Sequence, residues 1–200
     1  MRVVVTGGGG RIGRSAVADL VEHGHEVTVL DLAPPASPFP RGVMLRLGSV
    51  DECGSVMAVL RNARAEAVVH LARASTNHDD LTVFRSNVLG TYHVLQCAAA
   101  CGVRVALVAS SIQALGDYWY LREVPKYLPL DEDHPVAPRS AYATSKAVIE
   151  ETGRAVTREH GLTTVAIRPT AVIVPERWPD LLVRVRAARP GDRPPEDGPL

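Results

Sequence analysis

The chain has 200 residues, with 22 Lys plus Arg balanced by 22 Asp plus Glu, a formal net charge of zero. That length suits one domain with a full core. The charge balance removes any global attraction to nucleic acid or to an anionic membrane surface. No apolar run reaches spanning length, and the opening, one Arg and three Val before the glycines, reads as a strand and not a signal peptide. Cys53, Cys97 and Cys101 are odd in number and lack C-x-x-C spacing, so buried small thiols are favoured over a metal pair, and a reducing cytoplasm is the expected setting.

Val3, Val4 and Val5 form a β-branched run of the kind buried on both faces of a parallel sheet. Glycines follow at 7 to 10, and from Arg11 the apolar residues take helical spacing at Ile12, Ala16 and Leu20, with Val17 and Val21 alongside. A strand that turns through glycines into a helix is suited to a diphosphate, because backbone N–H groups and the positive end of the helix dipole face the anion. A flexible turn is the plainer alternative. The context that favours a nucleotide comes about twenty residues on. There a second strand, Glu26 to Leu30, ends at Asp31, whose carboxylate can accept both hydroxyls of an adenosine ribose. It would repel a 2′-phosphate, so NAD is expected over NADP.

A proline-rich loop from Ala33 to Pro40 leads to a third strand, Val43 to Leu47, and a helix with Val56, Val59 and Leu60 buried. Ala67 to Ala72 reads as a fourth strand. A long helix from Leu81 to Cys101 carries Leu81, Phe84, Val88, Tyr92 and Leu95 at three- and four-residue steps, which predicts one apolar face. Val103 to Ala109 is the fifth strand. The irregular stretch Leu115 to Arg139 holds Tyr118, Trp119, Tyr120 and Tyr127, either facing a substrate or anchoring the loop. Ala141 to His160 is a helix closed by Gly161, and Thr163 to Arg168 a sixth strand stopped by Pro169. A short Arg-bearing helix is expected at 181–189, then a disordered proline-rich tail. The alternation predicts an α/β fold, a doubly wound parallel sheet with helices on both faces and a ligand at the carboxyl ends of its strands.

One helical turn separates Tyr142 from Lys146, so they share a helix face. A phenol with an ordinary pKa of about 10 exchanges protons poorly at neutral pH, and a neighbouring ammonium favours its ionised form. Y-x-x-x-K also recurs by chance. Ser110 and Ser111 follow the fifth strand directly, where a hydroxyl can hold a substrate oxygen; turn-capping serines are the alternative.

With these motifs in order, the chain resembles the extended short-chain dehydrogenase/reductase family, the group of NAD-dependent sugar epimerases and dehydratases. Thr6, Gly7, Gly10 and Gly13 fit T-G-x-x-G-x-x-G; His70-Leu71-Ala72-Arg73 resembles H-x-A-A; and Asn87 to Thr91 resembles N-x-x-G-T. Ser111, Tyr142 and Lys146 stand at the family's catalytic positions, and Arg168-Pro169 resembles its R-P segment. The resemblance implies an NAD-dependent oxidoreductase or epimerase acting on a hydroxyl or ketone of a sugar, sugar nucleotide or similar molecule. Tyr142 would be the general acid/base, Lys146 would lower its pKa and bind the nicotinamide ribose, and Ser111 would orient the substrate oxygen. Cofactor contacts are implied for Gly7, Gly10, Arg11, Ile12, Gly13, Asp31, Leu32, Ser49, Val50, Leu71, Ala72, Arg73, Asn87, Ser110, Tyr142, Lys146 and Pro169, with no metal. Homodimers through the two long helices are implied as well.

Five departures qualify the match, two of them being that Arg168 to Pro175 lacks the Asn and second Gly of R-P-x-N-V-x-G-P and that family members usually continue well beyond 200 residues. Ser49 stands where an Asp is frequent near adenine, Leu115-Gly116 replaces Y-G, and Ile112 and Gln113 replace the acidic pair of the 4,6-dehydratases, which argues against that subgroup. Residues 1–175 are expected to form the NAD-binding domain with the catalytic set, and 176–200 a remnant helix and tail. That leaves the substrate side open, closed at best by Tyr118–Tyr127, with low turnover unless a second chain supplies cover. An NAD-binding regulator with little turnover is the alternative function.

Overall fold

A computed structural model of the chain describes residues 1–74, 77–116, 124–173, 178, 179, 182 and 183. Six strands form a parallel sheet: β1 (Arg2–Thr6), β2 (Glu26–Asp31), β3 (Met44–Leu47), β4 (Ala67–His70), β5 (Val105–Ala109) and β6 (Thr163–Ile167). Their spatial order is β3-β2-β1-β4-β5-β6. The reversal lies between β2 and β4 around β1, which pairs with both (Val5 with Val29, Val5 with Val69). This is the doubly wound Rossmann arrangement, whose crevice opens at the carboxyl edge beside the first strand.

Four helices connect the strands: α1 (Arg11–Glu22), α2 (Cys53–Ala63), α3 (Asp80–Ala100) and α4 (Ala141–His160). The period-two alternation of β1 sorts its valines between two cores. Val3 and Val5 join Val17 of α1 and Val27 and Val29 of β2 on one face. Val4 joins Val56 and Leu60 of α2, Val94 and Leu95 of α3, and Val156 of α4 on the other. Helices therefore lie on both faces, α1 on the first and α2, α3 and α4 on the second, as the strand–helix alternation predicts. Side-chain caps from Asp79 and Ser140 start α3 and α4, and Gly161 ends α4 in the left-handed region at φ 71°.

One expectation is corrected. The stripe expected at Leu81, Phe84, Val88, Tyr92 and Leu95 is fully buried only at Leu95: Leu81 is 75 % and Tyr92 48 % exposed, and Phe84 and Val88 are half-buried. Beside Leu95 the helix buries Val83, Asn87, Gly90, Thr91, Val94, Cys97 and Ala98. The reason is contact with other segments of the chain. Gly90 is needed where Val50 presses against the helix, since a Cβ there would lie 2.8 Å from Val50 Cγ2, and Asn87 and Thr91 face inward because they hydrogen-bond there. No helix among the described residues is long and apolar enough to cross a membrane. Tyr118, Trp119 and Tyr120 lie outside the described residues, as does most of 176–200.

Candidate active site

Because all six strands are parallel, the segments after each of them meet at one edge. Gly7 follows β1 with φ 70°, a conformation glycine adopts freely. A Cβ on Gly7 would lie 2.6 Å from Ala72 N, and one on Gly13 2.6 Å from Gly8 Cα, so both positions need bare backbone. Gly10 is the N-cap of α1 and has no side chain with which to cap it, which leaves the amides of the first turn, Arg11 to Gly13, for an anion. Asp31 ends β2 beside this turn. Its Oδ2 accepts from Gly9 N and its Oδ1 from Leu32 N, each at 2.8 Å, and each oxygen keeps a lone pair for a further donor. Bare glycine backbone, an uncapped helix start and a fixed carboxylate fit the diphosphate and ribose of a dinucleotide.

The segment after β4 is held by a buried polar network. His70 is 3 % exposed; its Nδ1 lies 2.6 Å from Thr6 Oγ1 and its Nε2 3.0 Å from Thr91 Oγ1. Thr91 donates its proton to Asn87 O at 2.7 Å, so it accepts from Nε2–H and the ring is the neutral Nε2–H tautomer. Burial, with the charge of Lys146 as a second cause, pushes the His70 pKa down to about 3. Asn87 then bridges two elements: its Oδ1 accepts from Ala74 N at 2.9 Å and its Nδ2 donates to Ser145 Oγ at 3.0 Å. Ser145 in turn donates to Tyr142 O at 2.7 Å. The helix that carries Tyr142 is thereby tied to the loop that carries Leu71, Ala72 and Arg73.

Lys146 is 4 % exposed and donates to Ala109 O, the last residue of β5, at 2.6 Å. Its Nζ stands 5.5 Å from the centre of the Tyr142 ring, and Arg73 Cζ stands 5.9 Å from the same point. Burial, then the charge of Arg73, pushes the Lys146 pKa down to about 8. Two cations thus stand within about 6 Å of the centre of one phenol ring. Ser111, 7 % exposed, sits two residues past Ala109 and caps the short turn Ile112–Ala114, its Oγ accepting from Gln113 N at 3.2 Å. Ile112 N donates to Pro169 O at 3.2 Å, and Arg11 Nη1 to Val172 O at 3.4 Å. These two bonds bring the segment after β6 back to the same edge.

Of the expected site residues, the glycine turn, Asp31, Leu71 to Arg73, Asn87, Ser111, Tyr142, Lys146 and Pro169 gather along this edge. Ser49 and Val50 lie beyond β3, and Val50 rests on α3 at Gly90. Ser110 is placed differently from expectation: its hydroxyl is 2 % exposed and donates to Glu150 Oε1. Glu150 is the residue the sequence reading missed. Burial pushes its carboxyl up, but hydrogen bonds from Arg168 and Ser110 and the charges of Arg168 and Arg154 outweigh that and hold it below its ordinary value. Its signal was the spacing Lys146-x-x-x-Glu150, one more turn along the face that carries Tyr142. Among the described residues no group of three or more His, Cys, Asp or Glu could hold a metal ion. Tyr127 donates to Asp131 at 2.6 Å and packs 4.9 Å from the His134 ring, which fits the loop-anchoring alternative for that aromatic.

The NAD-dependent epimerase/dehydratase family model matches residues 3–186. This chain belongs to that family. It is 29% identical to the UDP-glucose 4-epimerase of Lactobacillus helveticus over 180 residues, covering 84% of this chain and 51% of that protein. Among solved structures it is similar to Thermus thermophilus UDP-glucose 4-epimerase in complex with NAD (32% identity, TM-score 0.74, 84% of this chain and 54% of that one). It is also similar to a short-chain dehydrogenase/reductase superfamily protein from Agrobacterium tumefaciens with bound NAD (33% identity, TM-score 0.72, 83% of this chain and 48% of that one). The chain therefore spans about half the length of the curated relatives it matches.

Proposed function

We propose that this family member binds NAD and carries the proton-transfer set of a sugar-nucleotide epimerase or a related oxidoreductase, with UDP-glucose as the substrate class to try first. The observation that carries the reading is the position of Lys146, which reaches the end of β5 beside Ser111 while standing 5.5 Å from the Tyr142 ring. The names of the relatives, UDP-glucose 4-epimerases, give the substrate class.

Gly7, Gly10 and the first turn of α1 would hold the diphosphate, Asp31 the adenosine ribose, and Lys146 the nicotinamide ribose. NAD, when bound, supplies a ring that can take a hydride and return it. Tyr142 moves a proton between its phenol oxygen and the substrate oxygen. Ser111 holds that oxygen, and Lys146 and Arg73 keep positive charge near the ring. Two copies would pair through α3 and α4, where Leu89 and Tyr92 are exposed.

The test is conversion of UDP-glucose to UDP-galactose, with reduction of added NAD across a panel of sugars and secondary alcohols beside it, in wild type and Tyr142→Phe. Turnover that falls at least 100-fold in Tyr142→Phe supports the role. Turnover that survives the substitution removes it. Tight NAD binding with no turnover on any substrate would favour the regulator instead.

A further inference from the structure

Cys53 is the first residue of α2 and Cys97 lies near the end of α3. The segments run side by side in the same direction. His93 Nδ1 lies 3.1 Å from Val50 O, Cys97 Sγ donates to Cys53 O at 3.6 Å, and Cys101 Sγ meets Met57 Sδ at 3.3 Å. Within this ladder the sulfurs of Cys53 and Cys97 are 3.1 Å apart. Cys53 is exposed and Cys97 buried, so one thiol meets solvent while the other waits behind it.

We propose that Cys53 and Cys97 are a reversible disulfide site, with hydrogen peroxide as oxidant, Cys53 as the thiol it oxidises and Cys97 as the thiol that resolves it. The Cys53 thiolate attacks one peroxide oxygen: an S–O bond forms, the O–O bond breaks, and the leaving oxygen takes a proton as water. The Cys97 sulfur then attacks Cys53. An S–S bond forms, the S–O bond breaks, and the Cys97 proton leaves with the hydroxyl as a second water. Two thiols lose two electrons and two protons, and one peroxide becomes two waters. Closing to a bond length of about 2.05 Å needs about 1 Å of approach, within reach of side-chain rotation.

The third cysteine is excluded by geometry. Cys97 and Cys101 are one turn apart on the same helix, where Cβ atoms stand about 5–6 Å apart, too far for a disulfide span of about 3.8 Å. Burial, then the hydrogen bond to Cys53, pushes the Cys97 thiol up to about 12. Cys97 therefore stays protonated, which leaves the exposed Cys53 as the thiol that meets the oxidant first. The link would join residues 44 apart and pin the start of α2, with Val50, to α3.

The experiment treats the reduced full chain with a few equivalents of hydrogen peroxide, denatures it in iodoacetamide and maps its peptides without reduction. The expected result is a 53–97 linked peptide, alkylation of Cys101 alone, and a Tm raised on the order of 10 °C that dithiothreitol reverses. Dimedone should trap more Cys53 sulfenic acid in Cys97→Ala than in wild type. Three alkylated thiols after peroxide, a Cys53 that stops at sulfinic acid, Cys53–Cys53 dimers, or equal dimedone labelling in both proteins would each overturn the proposal.

Discussion

Arg168 grips Glu150 with two parallel hydrogen bonds, Nε to Oε1 at 2.8 Å and Nη2 to Oε2 at 2.7 Å. The Glu150 side chain is 3 % exposed and that of Arg168 15 %. Two charges removed from water in this way are compensated by each other, by Ser110 on Oε1 and by Glu132 O, which accepts from Arg168 Nη1 at 3.2 Å. The pair joins α4 to the end of β6 and so sets the seat of Pro169. Removing Arg168 leaves the buried Glu150 with only Arg154, 3.8 Å away, as countercharge, and Arg168→Leu should destabilise by up to about 3–5 kcal/mol. Glu150→Leu with Arg168→Leu should recover most of that loss. Urea unfolding of the two singles and the double checks this, and additive losses would contradict it.

Lys146 gives a pH dependence of definite sign. Its native pKa of about 8 lies below the ordinary value of 10.5. Below pH 8 the ammonium is charged in both native and unfolded chains, and the cost of burying it is present in full. Between pH 8 and 10.5 the unfolded chain holds the proton and the native one does not, so stability rises with pH. Lys146→Met should therefore be stabilising at pH 7, by roughly 3 kcal/mol at most, while turnover is lost. Turnover of the wild type should fall as pH climbs through about 8. Arg73→Ala, which removes the second cause of the shift, should move that limb upward. A pH profile indifferent to Arg73 would contradict the assignment.

His70 shifts in the same direction and acts on the acid side. Its native pKa of about 3 lies below 6.5. Above pH 6.5 the ring is neutral in both states and its full contribution is present. Between 6.5 and 3 the unfolded chain binds a proton that the native chain refuses, at about 1.4 kcal/mol per pH unit. Denaturation midpoints followed from pH 7 to 4 should fall more steeply in the wild type than in His70→Gln. Equal slopes would mean that His70 is protonated in the native state.

The strands, the glycine turn and Asp31 were legible because each writes its own local pattern: β-branched runs, glycines at positions with no room for a Cβ, and an acid at a strand end. The strand limits moved by a residue or two, as at Met44 and Val105. The core face of α3 was not legible. Asn87, Gly90 and Thr91 face inward because of partners distant in sequence, Ser145, Val50 and His70, and a polar or small residue in a helix does not declare that. Glu150 was hidden for a related reason: its partners, Ser110 and Arg168, come from two other segments. For Ser110 the strand end was read correctly, but the direction of the hydroxyl depends on Glu150.

If the edge formed by the glycine turn and Asp31 holds NAD, Asp31 should set the choice between NAD and NADP. Calorimetric titration of the full chain with NAD and NADP, in wild type and Asp31→Asn, tests it most directly. NAD should bind at least tenfold tighter than NADP, about 1.4 kcal/mol or more, with that preference reduced in Asp31→Asn. Equal affinities in the wild type, or no heat with either dinucleotide, would contradict it.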